Sequence, residues 1–477
     1  MIDDRRRSAA IGGVLLILLI ALVCLRSWVP VRTYAHFDSD QAVFGVMARD
    51  LAAGRGFPMF MYGQRYLLAV SVWLCAPLFA VFGASITTLK LPMFLMNVAV
   101  VAMLWRGLRK EPGLGPWGTT FAILPFAIPS AVISSRLVEH QGGNIEPFVF
   151  VLAAFFLRER PIALGVLLGV AFLNREFSLI AFFALLLMDA AQGTLGRRVR
   201  RHLTTAVTIA GVVIALRVLA RWSTSYGGSG PLWLRPGLTK FVDFFTQQVP
   251  TLIGGGSRRL LDFNIISSLT VGHTVVYAAT IAWLIVLAAV CWRWSPLERR
   301  ELNGMSAYLV LVGAGQAAAF IALSPYPGDR MVVRYLLLAL LALCGLVAFA
   351  WRRPALRSLT AAVIMLMTVV NLAGNVRLVR EYARDPPSRD LNQLADALVQ
   401  RGVQYVETDY WTAFDIAWVT GERVIASPER GSGNRVVRYN DLLDAHRSEV
   451  FTVIGTARSG CEPIEKWYVC PPSPPAK

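Results

Sequence analysis

The sequence predicts an all-α polytopic membrane protein with a small α/β domain at its C-terminus. Three observations carry this. Of 477 residues, 55% are hydrophobic and only 16% charged, against about a quarter charged in soluble domains. Several apolar runs approach the length of about 20 residues that a bilayer-spanning helix needs. The basic residues fall in short clusters between those runs, which is the positive-inside pattern. A net charge of +17 therefore reads as topology. With no basic face on a globular domain, nucleic acid is excluded as a partner.

The N-terminus carries Arg5, Arg6 and Arg7 before an apolar run over 9–25. Arg26-Ser27-Trp28-Val29-Pro30 follows without a small-residue cleavage site, so this is read as an uncleaved first span over about 10–29. Its basic start is expected in the cytoplasm, which puts Asp38 and Asp40 outside. Over 41–53, Val43, Phe44, Met47 and Leu51 recur at helical spacing, with Gln41, Arg49 and Asp50 on the other face. Ser39 or Asp40 can cap this helix and Gly54 can end it. Such a helix is expected to lie along the membrane surface.

The next apolar run, 67–82, is read as re-entrant or interfacial. Had it crossed, the cluster Arg106, Arg109, Lys110 would fall outside, against the charge rule. Spans are then expected over about 88–105, 117–133 and 147–157, with an outer loop over 134–146. The runs 163–173 and 177–188 are short for a crossing at 1.5 Å per residue. They meet at Asn174-Arg175-Glu176, which suggests broken helices lining a cavity. Further spans follow over about 203–219, 271–292, 305–323, 335–350 and 356–372, with a long outer loop over 221–270 and another over 324–330. About eleven spans leave the C-terminus outside. Residues 376–470 alternate β-rich runs (403–407, 423–426, 450–454, 467–469) with helical ones (391–401, 439–446), the pattern of a small α/β domain. The tail 471–477 is expected to be disordered. The division is thus 1–375 in the membrane, with an outer loop over 30–86, then 376–470 outside. Cys24, Cys75, Cys291 and Cys344 read as small buried hydrophobes. Cys461 and Cys470 can pair if their domain meets an oxidising compartment.

Three polar groups can carry chemistry. Asp38 and Asp40 flank Ser39 at the end of the first span; one reading is a solvated loop with a helix cap. The other is a general base near a membrane-embedded substrate, and spacing alone does not say which of the two it is. Glu139, His140 and Glu146 lie on the same outer side, with Glu146 at the mouth of an apolar helix where ionised groups are costly. Together with Asp38 and Asp40, Glu146 offers oxygen ligands for a divalent cation. Arg175 either pairs with Glu176 or holds a lipid-linked phosphate through its guanidinium fork. Arg65, Arg330 and Arg334 sit near membrane ends, where they can neutralise phosphate or anchor headgroups.

These motifs resemble the GT-C superfamily of membrane glycosyltransferases, in particular the bacterial lipid A aminoarabinose transferases and the protein O-mannosyltransferases. The resemblance runs in order over roughly the first 350 residues. It rests on Phe37-Asp38-Ser39-Asp40-Gln41, Gly63-Gln64-Arg65-Tyr66, Phe82-Gly83-Ala84-Ser85, Glu146-Pro147-Phe148, Asn174-Arg175 and Arg334-Tyr335. Where the aminoarabinose transferases carry a Glu-Lys pair after Arg-Tyr, Leu67-Leu68-Ala69 stands here. The resemblance implies transfer of a sugar, with inversion, from a polyprenyl-phosphate donor to an acceptor hydroxyl (on lipid, glycan or protein) at the outer face of the bacterial inner membrane. It implies catalysis by Asp38, Asp40 and Glu146, donor-phosphate binding by Arg65, Arg175 and Arg334, and support from Glu139, His140 and Tyr66. No soluble cofactor is required; a divalent cation on the three acids is the one option. Asp409-Tyr410-Trp411 looks like part of the family's outer domain, where the two rings stack on a sugar or pack in a core. A transporter or flippase for lipid-linked saccharides is the alternative from another class. A structural envelope subunit is a third.

Overall fold

The computed structural model describes residues 2–223, 241–242, 244–254, 271–294, 301–323, 330–386, 389–429, 433 and 435–472. The expectations for most of the loop 221–270, for 324–329 and for the end of the tail lie outside these residues.

The first helix, α1 (Ile2–Arg32), holds the long apolar run after its arginines. Among the described residues, six helical stretches are long and apolar enough to cross a membrane: Arg6–Arg32, Ile86–Leu108, Leu195–Trp222, Met305–Ala322, Val333–Trp351 and the one starting at Pro354. Between them lie α2 (Ser39–Ala52), a hairpin of β1 (Phe60–Met61) and β2 (Gln64–Leu68), and α3 (Val70–Phe82). At 13 residues, α3 is about 20 Å long against a hydrocarbon core of about 30 Å. The following helix, α4 (Ile86–Leu108), starts with a capping box in which Ser85 and Thr88 satisfy each other's backbone N–H groups, so Phe82-Gly83-Ala84-Ser85 works locally as a helix stop and start.

The expected span over 117–133 is instead two helices, α5 (Gly115–Ala127) and α6 (Ala131–Arg136). Pro129 disfavours helical backbone at Ile128, whose φ is −130°. The carbonyls freed by the break are bonded: Asn371 Nδ2 donates to Ile128 O at 3.1 Å and Asn375 Nδ2 to Pro129 O at 3.2 Å. Irregular backbone at membrane depth needs such protein partners. A second break follows α7 (Glu146–Leu157) and α8 (Pro161–Asn174), where a 3-10 turn over Glu176–Leu179 leads into α9 (Ile180–Ala191). The next helix, α10 (Leu195–Leu219), packs along α8. A Cβ on Gly165 would lie 2.4 Å from Thr208 and one on Gly169 2.7 Å from Val212, so these glycines set the helices' close approach.

The last membrane helix runs over Pro354–Arg384, past the boundary expected at 375. A helix over Arg389–Gln400 leads into a five-stranded sheet. Its strands are β3 (Tyr405–Thr408), β4 (Ile425–Pro428), β5 (Val450–Ile454), β6 (Glu462–Ile464) and β7 (Trp467–Cys470), in the order β4-β3-β5-β7-β6. The β3–β4 and β3–β5 pairs are parallel; β5–β7 and β6–β7 are antiparallel. Cys461 and Cys470 form a disulfide.

One expectation is corrected here: β3 and β4 are joined by a helix over Tyr410–Val419, where none was expected, capped by the Asp409 side chain on Trp411 N at 2.9 Å. The helix α2, expected along the membrane surface, is packed within protein. Its apolar residues share one core with α3 on one side and with Phe414, Ala417, Trp418 and Tyr439 of the C-terminal domain on the other. Its polar face is covered too. The Arg49 guanidinium lies 4.0 Å over the Trp418 ring, and Asp50 accepts from Arg55 at 2.8 Å and from Arg438 at 2.9 Å.

Candidate active site

The site is built where α1 stops. Three carbonyls at that end, of Pro30, Thr33 and Ala35, accept from Lys90 Nζ at 2.9, 3.0 and 3.3 Å. A buried ammonium at a helix C-terminus satisfies both the orphan carbonyls and the dipole. It also turns the chain into His36, whose φ is +53°. Asp38 follows as the N-cap of α2, its Oδ1 accepting from Gln41 N at 3.1 Å. Cap positions favour Asp for this bond; the sequence reading had put the cap on Ser39 or Asp40. Gln41 in turn braces the turn by donating to His36 O at 2.7 Å.

The 139–146 segment closes over this turn. Gln141 Nε2 donates to Asp38 Oδ2, and Gln141 Oε1 accepts from Arg334 Nη1 at 2.7 Å. Asp38 is only 6% exposed. Burial pushes its carboxyl up to about 6, the charges of Asp40 and Glu139 push the same way, and the Gln41 and Gln141 bonds offset only part of it. Asp40 divides its oxygens. Oδ1 accepts from the Tyr410 hydroxyl at 2.6 Å, and Oδ2 faces Arg334 Nη1 at 4.0 Å. Arg435 Nε donates to the same Tyr410 oxygen at 3.1 Å.

The remaining candidates fall around this core. Glu139 accepts from Arg136 at 2.8 Å and faces His36 Nδ1 at 3.8 Å. His140 is bound as part of the framework: its backbone N–H donates to Gln41 Oε1 at 3.2 Å and its Nδ1 is 2.9 Å from Leu89 O. Burial pushes its imidazole down to about 4, so it is neutral at physiological pH. Glu146 heads α7 and accepts from Gly143 N at 3.0 Å. Arg175, at the break after α8, donates to Gly142 O at 2.7 Å and lies 5.8 Å from the Tyr335 ring. Of its two expected roles, pairing with Glu176 is not the one seen: its bond to the acidic loop is made through that carbonyl. Gly143 is required there, because its φ is +114° and a Cβ would overlap the Arg175 side chain. Tyr66 lies within electrostatic reach of Arg175, Tyr335 and Arg435, and burial raises the pKa of its hydroxyl. Arg65 lies in β2; its side chain is outside the described residues.

Among the described residues, no group of three His, Cys, Asp or Glu side chains is placed to hold a metal ion. Asp38, Asp40 and Glu146 therefore do not fit the oxygen-ligand set expected from the sequence. Their oxygens face Gln41, Gln141, Tyr410 and Gly143 instead. Gln141 and Arg435 belong to the site and were not singled out by the sequence; Tyr410 was expected to stack on a sugar or pack in a core, not to bond Asp40. Gln141 lies in a loop with no distinguishing motif. Tyr410 and Arg435 are more than 360 residues from Asp40 along the chain. A tyrosine beside a tryptophan in an otherwise polar domain was the one available signal.

This bundle of long and broken membrane helices, with an acidic turn at one end and a small sheet domain, shares its overall fold with a solved membrane protein. The chain is similar throughout to ArnT from Cupriavidus metallidurans, solved in two states. The form bound to undecaprenyl phosphate aligns over 96% of this chain and 97% of that one, with a TM-score of 0.59 and 12% sequence identity. The apo form aligns over 97% and 98%, with a TM-score of 0.60 and 11% identity. No protein-family model and no curated protein matches the sequence.

Proposed function

We propose that this protein is an inverting glycosyltransferase of the bacterial inner membrane that moves a sugar from a polyprenyl-phosphate donor to an acceptor hydroxyl at the outer face. The observation that carries this is Asp38: a buried carboxylate, both oxygens oriented, its pKa lifted towards neutrality, beside a group of arginines at a membrane edge. A group with those properties is suited to take a proton near neutral pH. The fold likeness to a protein crystallised with undecaprenyl phosphate supports a polyprenyl phosphate as the lipid partner.

In this reading the acceptor oxygen attacks the anomeric carbon as its proton passes to Asp38. The bond from that carbon to the phosphate oxygen breaks in the same displacement, which inverts the centre. The polyprenyl phosphate leaves with the electron pair, its charge met by Arg175, Arg334 and Arg65. Asp40 orients the acceptor side. Glu146 holds the Gly143 turn and, through it, Arg175.

The test is sugar transfer in membranes supplied with undecaprenyl-phosphate-linked sugars. Asp38→Asn should lower transfer by about 10²–10⁴-fold, the usual contribution of a general base, with the protein still folded. Glu146→Gln should lose less, since a glutamine oxygen can still accept from Gly143. Undiminished transfer in both variants would remove this site as the reaction centre.

A further inference from the structure

The C-terminal domain does not merely sit near the site. Two independent sets of contacts join it to α2. The first is a seat. Gly45, in the middle of α2, faces the Trp418 ring so closely that a Cβ there would lie 2.5 Å from it. Around that contact, Arg49 covers the Trp418 ring and donates to its carbonyl at 3.0 Å. Glu422 accepts from Arg55 at 3.2 Å and from Tyr439 at 2.7 Å. The second is a reach. From this seat, Tyr410 extends to Asp40, and Arg435 backs Tyr410 from behind.

Magnitudes decide which contact orients Asp40. Arg334 and Arg435 each approach an Asp40 oxygen no closer than 4.0 Å, beyond hydrogen-bond range. The Tyr410 hydroxyl, at 2.6 Å, is a short bond to a charged acceptor. Without it, Asp40 can swing both oxygens onto the Arg334 guanidinium, the geometry that arginine favours for carboxylates. That would draw Arg334 from Gln141, and Gln141 is what holds Asp38 Oδ2. A connected series therefore runs Arg435, Tyr410, Asp40, Arg334, Gln141, Asp38, with its first two members in the outer domain.

We propose that the C-terminal domain completes the transfer site, with Tyr410 as a positioning residue that keeps Asp40 off Arg334 and so keeps Arg334 and Gln141 aligned on Asp38. This rests on the glycosyltransferase reading above. The full-length protein in lipid nanodiscs would be assayed with a panel of undecaprenyl-phosphate-linked sugars and native membrane extract as acceptor, comparing wild type with Tyr410→Phe, Asp40→Asn and the double variant. Losing one charge-assisted hydrogen bond should lower kcat about 10- to 100-fold in Tyr410→Phe. The donor KM should stay within about twofold, because substrate contacts remain, and the melting temperature should hold. The double variant should be no slower than Asp40→Asn, since both changes act through one carboxylate.

Unchanged kcat in Tyr410→Phe, or losses that multiply in the double variant, would overturn the proposal. So would a lowered melting temperature with normal kcat, which is what a merely structural tyrosine gives. Should Tyr410→Phe not fold, Arg435→Met reports on the same link, with a kcat loss expected that disappears in the Asp40→Asn background. A persisting loss there would overturn the proposal. Wild type inactive with every donor in the panel would overturn the glycosyltransferase reading itself, a result seen before any variant is compared.

Discussion

Asp38 concentrates the site's electrostatics in one residue. A cap aspartate normally has its pKa lowered by the backbone N–H it accepts from. Here burial outweighs that bond and lifts the carboxyl to about 6. A base must be ionised to work, so kcat/KM should fall as pH drops through about 6 and level off above it. A rate flat from mildly acidic to neutral pH would rule Asp38 out. Glu139→Gln removes one of the charges that raise the Asp38 pKa, so the midpoint should move down; an upward or null shift would count against the assignment. Gly143 makes a steric prediction at the same scale. With φ at +114° and Arg175 where a Cβ would stand, Gly143→Ala should cost about 1–3 kcal/mol, the range for an enforced unfavourable backbone conformation. Thermal unfolding in detergent measures it, and an unchanged melting temperature would refute the close approach.

At the scale of elements, α2 has an unusual situation. It carries the amphipathic pattern of a membrane-surface helix, yet both faces are covered by protein. The seat on Trp418 makes this testable. Gly45→Val puts two methyl groups into the ring and should destabilise the docked domain by about 1–3 kcal/mol, the usual cost of overpacking. Limited proteolysis should then release the C-terminal domain more readily than in wild type. Equal protection would mean that the contact contributes nothing. The breaks at Pro129 and at Asn174-Arg175 differ in how they could be foreseen. Two apolar runs too short to cross, meeting at polar residues, announce the second. The first lies inside one continuous apolar run. Its stabilisation comes from Asn371 and Asn375, more than 240 residues away, and no local pattern records that.

Across the whole molecule, the disulfide ties the end of β7 to Cys461 in a domain otherwise held by a modest core. Alkylation without reductant should leave Cys461 and Cys470 unlabelled in protein from native membranes, in keeping with an outward-facing domain. Labelling of both would instead place that domain in a reducing compartment. The membrane class was legible in composition and charge spacing, because apolar length and arginine placement are properties of the linear chain. Four of the five strands after 400 were legible as short β-rich runs, but the helix over Tyr410–Val419 and the strand over Glu462–Ile464 were not. The acidic turn was legible as a helix start next to a membrane edge, since capping is decided within three or four residues, though the cap is Asp38 and not Ser39 or Asp40. What the chain order could not convey is pairing across distance. That Gln141 would meet Asp38 and that Tyr410 would meet Asp40 both depend on how helices and domain pack. Side chains hundreds of residues apart are brought within 3 Å by burial of apolar surface, which specifies a shape without writing its contacts into any local motif.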